Sequence, residues 1–401
     1  MKTKLVFLCL MLVLLCAGTH SAYAFDLQDL LLNLYSKDGT QGITLEGGTI
    51  TTGWAFPLDV TGTEINNLIQ SEIANLSLNS SVASFSVEID AITGLPLVTT
   101  EALGPIYAER AQTLGKGIFK FGASATYVKF TEFEGNDLDD LVFLIPHADF
   151  FPYGPLGDPA FELDQLQVTL DIEVEEYIVA LFASYGILDN LDASVIVPFV
   201  DLDMKIDSHA ELVLDDPGNS VFHAFDPVDG DRPDDSVDGD AQGIGDMIVR
   251  LKYFLRETEI ADVAVAADLK IPTGDEKNLL GADAFTLTPF VILSKTLYDG
   301  RFNPHVNFGY EINFDDDEFS QLKYAVGFDS RITSKISFAA AVIGNNELSG
   351  DGIGDDLWDI STGLKYNPWR DLIFFANVQV PLNDEGLRAD FVPSVGAEYS
   401  F

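Results

Sequence analysis

Cysteine is close to absent from this 401-residue chain: the only two, Cys9 and Cys16, lie near its start. Without further thiols there is no disulfide framework, thiolate metal site or redox pair to build on. Basic residues are also few, 22 Lys and Arg against 64 Asp and Glu, which leaves a formal charge of -42. Nucleic acid, held through Lys and Arg on phosphates, is excluded as a partner by such a surface. Long apolar runs are missing too: beyond residues 5–17 no stretch approaches the roughly 20 consecutive apolar residues of a membrane helix. Histidine is rare, and Ser208 and His209, neighbours in sequence, would point to opposite faces of a strand. They make no nucleophile–base pair. No phosphate-binding loop, Cys-x-x-Cys or set of histidines at ligand spacing occurs, so the chain is not expected to be an enzyme.

What is present begins with an export leader. Lys2 and Lys4 precede the apolar run, and Ala22-Tyr23-Ala24 has the small residues a signal peptidase accepts. This predicts a signal peptide over 1–24, against the blander reading of a buried N-terminal helix. Leu15 before Cys16 lacks the small residue of a lipoprotein site. Residues 1–24 hold two lysines and no acid, so their removal takes the charge from -42 to -44.

The stretch 244–401 repeats one unit: an alternating run, a tight connection, a returning run, then a longer acidic connection. Val306, Phe308, Tyr310 and Ile312 alternate with His305, Asn307, Gly309, Glu311 and Asn313, and Leu322, Tyr324, Val326 and Phe328 with Lys323, Ala325, Gly327 and Asp329. Period two means strands between two environments. A soluble sandwich shows the same pattern. The regular parity of tight and long connections favours instead a closed antiparallel transmembrane barrel.

Residues 25–116 differ from the rest. Leu27, Leu30, Leu31 and Leu34 have helical spacing, as does 64–76, and an alternating piece over 82–89 ends at Thr93-Gly94. The segment is expected to be either a plug inside the barrel or a periplasmic domain. The first strand is expected over 117–130. A long connection, 131–162, carries Phe150, Phe151 and Tyr153, candidates for solute capture beside the alternative of a plain surface loop. Residues 163–185 read as one long strand whose apolar parity slips at Glu175-Glu176, the place for a bulge or for the membrane boundary. A strand over 193–203 is followed by a connection expected to reach Gly243, rich in aspartate. Asp229, Asp231, Asp234, Asp238 and Asp240 are candidate calcium ligands there, although the twelfth-position Glu of a calcium loop is missing. An acidic mobile loop is the competing reading.

Nine further strands follow, near 246–256, 261–271, 284–293, 305–313, 322–329, 336–344, 358–366, 374–380 and 394–401, for a total of twelve. Trp358, Tyr366, Trp369, Tyr399 and Phe401 fall near strand ends, where an aromatic girdle belongs. Tyr399 and Phe401 are expected to form a C-terminal signal for the barrel-assembly machinery. The expected lumen is lined by Lys120, Arg250, Lys252, Asp268, Lys270, Glu311, Lys323, Asp329, Lys365 and Glu398, with Asp171, Glu173, Asp262 and Asp359 also assigned to it. Such residues either pack the interior as ion pairs or line a polar path.

The run Pro105-Ile106-Tyr107-Ala108-Glu109-Arg110-Ala111-Gln112-Thr113-Leu114-Gly115-Lys116-Gly117, leading into 118–127, resembles the approach to the first strand in the meta-pathway of phenol degradation family of outer-membrane proteins. Gly243-Ile244-Gly245-Asp246-Met247 and Lys270-Ile271-Pro272-Thr273-Gly274 are similar to that family's middle hairpins. The similarity spans about residue 100 to the C-terminus. It implies a Gram-negative outer-membrane barrel that passes hydrophobic or aromatic compounds, with no catalysis. The expectation is a monomeric twelve-strand channel or transporter for a small solute, in contact with outer-membrane lipid and lipopolysaccharide. It needs no cofactor beyond calcium or another divalent cation in the external loops. A non-conducting structural or cation-bridged surface barrel is the alternative.

Overall fold

In hydrocarbon an unpaired backbone N–H or C=O finds no water, so a sheet persists there only if its first and last strands meet. The computed structural model, which describes residues 26–34, 87–89, 96–98, 102–146, 165–213, 234–314, 320–347, 356–369 and 371–401, shows that meeting. Twelve strands form the ring: β1 (Phe119–Phe130), β2 (Gln165–Leu188), β3 (Leu191–Val213), β4 (Met247–Arg256), β5 (Asp262–Ile271), β6 (Thr286–Ser294), β7 (Phe302–Asn313), β8 (Gln321–Arg331), β9 (Ile336–Glu347), β10 (Asp356–Trp369), β11 (Leu372–Pro381) and β12 (Val392–Ser400). Each pairs antiparallel with its sequence neighbours, and β12 pairs with β1 from Ser394↔Thr126 to Ser400↔Lys120. The cylinder has five connections of two to seven residues at one end and six of seven or more at the other.

Side chains obey the alternation. Leu251, Phe308, Val326, Leu364 and Val395 stand exposed on the outside, as lipid contact requires. At the tight-turn end Phe119, Phe121, Tyr399 and Phe401 form a ring cluster with centroids 5.2 to 6.4 Å apart.

β2 and β3 are 24 and 23 residues long and continue past the rim of the barrel. Their outer halves pair with Leu141–Pro146 and Asp234–Ile244, which makes a four-stranded wall above the long-connection end. No bulge occurs at Glu175-Glu176: the β2–β3 register is continuous from Gln165↔Val213 to Gly186↔Asp192. The apolar parity slips because the environment changes. Leu166, Val168, Leu170, Ile172 and Val174 face inward to a buried apolar cluster, whereas lower down Tyr177, Val179 and Tyr185 face outward to lipid.

That cluster is the largest apolar core among the described residues, and it lies above the barrel rather than within it. Leu27, Leu30, Leu31 and Leu34 enter it from a 3-10 turn (Leu27–Asp29) running into a short helix, α1 (Leu30–Asn33). Two expectations fail here. The connection after β3 does not reach Gly243, because Asp234–Ile244 is a strand whose Val237, Gly239 and Ala241 face the helix. Its polar residues hid the alternation. Asp171 and Glu173 lie on the solvent face of the wall, not in the lumen. Val87–Ile89 pairs with Pro96–Val98; Thr93-Gly94 and the expected helix at 64–76 lie outside the described residues.

Candidate functional site

Residues 102–116 have no regular structure, and they are held inside the cylinder because its inward side chains satisfy their backbone. Ala102 N–H donates to Gly300 O at a tight turn (3.2 Å), and Leu103 N–H to Ser337 Oγ (2.9 Å). Further along, Glu109 N–H donates to Asn307 Oδ1 (2.6 Å) while Asn307 Nδ2 donates back to Glu109 O (2.8 Å). Ala111 N–H reaches Ser294 Oγ (2.9 Å) and Leu114 N–H reaches Asp192 Oδ2 (2.8 Å). Buried irregular backbone needs such partners one by one. Gly363 makes room for this strap: a Cβ there would stand 2.5 Å from Ile106 Cδ1.

Charge completes the attachment. The Arg110 guanidinium grips Asp329 through two nitrogens, and Asn303 Nδ2 donates to the same carboxylate at 3.1 Å. Glu109 pairs with Arg250, which also forks onto Asp268, and Lys252 Nζ lies 3.4 Å from Glu109. Two other groups join barrel strands to each other. Lys323 (2.6 Å) and Lys270 (3.5 Å) share Glu311, and Lys120 (2.5 Å) and Lys365 (3.4 Å) share Glu398. The ten residues expected to line the lumen are all buried and inward-facing. They fall into four clusters, around Asp329, Glu109, Glu311 and Glu398.

Above the strap lies a cavity of about 110 Å³. Phe290, Ile292, Ala266, Ala325 and Leu357 supply an apolar wall; Asn307, Asn345 and Gln379 supply amides, and Tyr107 and Glu109 lie on the strap side. Asp359 and Gln379 mark its outer end and also line a second cavity of about 20 Å³ beneath Leu387, Arg388 and Ala389. Arg388 Nη2 donates to Asp359 Oδ1 at 2.9 Å and to Trp358 O at 2.8 Å.

The remaining candidates lie elsewhere. Phe150, Phe151, Tyr153, Asp229 and Asp231 are outside the described residues. Asp234, Asp238 and Asp240 stand on one face of a ladder strand, and Asp234 meets His209 Nδ1 at 2.5 Å. Among the described residues no group of three or more His, Cys, Asp or Glu is arranged to hold a metal ion. That outer wall is acidic: burial, then neighbouring carboxylates, raise the pKa of Asp171 and Asp203, whereas the Lys205 hydrogen bond lowers that of Asp207.

Sequence reasoning passed over Tyr107, Glu109, Arg110, Asp359 as a mouth residue and Arg388. One signal was available for the strap, adjacent opposite charges at Glu109-Arg110 in a stretch otherwise almost free of charge. None marked Arg388, whose partner is 29 residues away.

Residues 163–388 match the family described as "Putative MetA-pathway of phenol degradation"; the run 105–117 falls outside that match. No curated protein sequence matches the chain. Among solved structures, an outer membrane channel from Pseudomonas putida F1 is similar at 11% identity over 73% of this chain and 98% of its own, with a TM-score of 0.43. The toluene transporter TbuX of Ralstonia pickettii is similar at 10% identity over 72% and 90% of the two chains, TM-score 0.36. The P. putida toluene transporter TodX is similar at 9% over 71% and 89%, TM-score 0.35.

Proposed function

The chain belongs to the MetA-pathway of phenol degradation family, and from that premise we propose that it is an outer-membrane channel for a small, weakly polar solute of single-ring size. The observation that carries the reading is the mid-lumen cavity. Its volume of about 110 Å³ is of the same order as the roughly 150 Å³ of an apolar cavity known to accept benzene, which limits it to a solute no larger than one ring. Its apolar wall suits a ring face, and its amides suit one polar substituent. The cations on its surface, Arg250 and Lys323, already have carboxylate partners, so an anionic solute gains no free charge there.

In this reading 1–24 direct export, 25–116 form the N-terminal segment whose strap plugs the lumen, and 117–401 form the barrel, which works as a monomer embedded in lipid and lipopolysaccharide. The strap 102–116 closes the tight-turn end, the periplasmic one, and must shift for solute to leave. Phe150, Phe151 and Tyr153 are the proposed capture residues outside. The outward Asp234, Asp238 and Asp240 would draw divalent cations to the rim.

The experiment has two readouts. Initial uptake of radiolabelled phenol is followed in porin-deficient Gram-negative cells with and without the protein. Single-channel conductance is recorded for the whole mature chain and for a form lacking 25–116. Faster uptake, and a small conductance that grows on deletion, are expected. Stable insertion with neither uptake nor conductance would leave a closed surface barrel, the reading that the packed ion pairs of the lumen would then support.

A further inference from the structure

The contact between Arg388 and Asp359 differs in kind from the pairs among Lys120, Glu398, Lys270, Lys323 and Glu311. Those join ladder strands, which cannot part without losing backbone hydrogen bonds. Arg388 belongs to a connection, 382–391, and Asp359 belongs to the wall, on β10. The connection is sewn to the one that follows β1. Leu387–Arg388 pairs with Glu132–Phe133, which pairs with Asn136–Asp137. Thr131 N–H donates to Arg388 O (2.8 Å), Glu134 N–H to Gly386 O (2.9 Å) and Gly386 N–H to Glu134 Oε1 (2.9 Å). The two connections therefore form one small leaf across the mouth.

On its underside Leu387 and Ala389 are buried against Val128, Phe130 and Val392, while Arg388 between them turns to the wall. Asp359, also hydrogen-bonded by Gln379, is shared by the chamber below and the small cavity above, so the pair stands in the partition between them. An apolar pair in that ceiling would be at least as stable, since a buried ion pair gives back in desolvation much of what it gains. The leaf is tied to β10 at its root, where Leu382 N–H donates to Trp358 O (2.8 Å) and Trp358 N–H to Asn383 Oδ1 (3.0 Å), and beyond that hinge the charged contact of Arg388 with Asp359, at a partition above the chamber, suits a latch better than a brace.

We infer that residues 131–140 and 382–391 are the outer lid of the solute chamber and that Arg388 on Asp359 is its latch. The inference rests on the channel reading for its purpose, not for its geometry. With the latch closed, the chamber is sealed from the outer side. Parting the pair leaves two desolvated charges that draw in water and admit solute beside Gln379.

The test uses Cys9→Ser and Cys16→Ser with Asn345→Cys as a reporter in the chamber wall, in the full chain. A membrane-impermeant maleimide is added to intact cells and the labelling rate is read. Slow labelling is expected with the latch intact. Removing one partner of a buried pair strands the other, so Arg388→Ala is expected to accelerate labelling about tenfold or more. The exchange Arg388→Asp with Asp359→Arg should slow it again. Heat-modifiable migration on gels reports folding, and Asp359→Asn replaces Arg388→Ala if the latter does not fold. Equal rates in folded latched and unlatched proteins would overturn the inference, as would fast labelling with the latch intact. Phenol uptake separates the two claims: faster labelling without any protein-dependent uptake leaves the lid standing and removes the channel.

Discussion

Asp329 shows how this interior uses charge. It is fully buried on β8 and takes both the guanidinium fork of Arg110 and the amide of Asn303, with His305 Nδ1 3.9 Å away. Because the charge is compensated, its loss and the loss of its partner are not independent. Asp329→Asn or Arg110→Met alone each strands a buried charge, at a cost of about 3–5 kcal/mol, whereas the double substitution removes both. The expected outcome is a lower temperature of gel-mobility conversion for either single variant and partial recovery in the double one. Additive losses would mean that the strap is held by its backbone contacts alone. Asp246 works on the same principle with backbone partners. Its carboxylate accepts the N–H groups of Thr273 (3.1 Å), Gly274 (3.0 Å) and Ala282 (2.9 Å), which sets Leu279 and Leu280 into the apolar core above the barrel. The glycine-flanked motif at 243–247 is thus also a loop anchor.

At the scale of elements, the informative contact is α1 against the wall. Four helical residues have little stability of their own, so α1 exists through the packing of its leucines. Gly239 is the point of closest approach: a Cβ there would lie 2.7 Å from Leu27 Cδ2 and 3.3 Å from Leu30 Cδ1. Gly239→Val should therefore expel the helix while leaving the barrel ladder intact. Protease added outside intact cells is expected to cut near residues 26–34 in the variant and not in the parent. Protection in both would show that the leucines find room elsewhere in the cluster.

For the molecule as a whole the decisive event is closure. Phe401 exchanges backbone hydrogen bonds with Phe119 in both directions (2.9 Å each), and its ring meets that of Phe119 at 5.2 Å. The last residue thus seals β12 to β1 at the tight-turn end. Phe401→Ala keeps the ladder but removes the ring, whose aromatic contacts contribute about 0.5–1.5 kcal/mol beyond burial. It should lower the fraction of protein reaching the heat-modifiable form in the outer membrane, with less effect on barrels already assembled. An unchanged assembled fraction would overturn the expectation that Tyr399 and Phe401 act as an assembly signal.

Strand number, the order of tight and long connections and the inward parity of Lys120, Arg250 or Glu398 were legible in the sequence, because period two is a local property of the backbone and lipid enforces it strand by strand. The phase slip at Glu175-Glu176 was legible as an event but not as a cause. Either a bulge or a change of surroundings produces it, and only the continuous register of β2 on β3 decides. The strand at 234–244 was hidden because the face it buries meets a helix far off in sequence, Leu27 and Leu30 against Gly239, so glycine and alanine do there what leucine does elsewhere. The strap, the chamber and the latch were likewise beyond local reading. They arise where Glu109, Arg110 and Arg388 meet partners 141, 219 and 29 residues away, and such meetings exist only once the cylinder has closed.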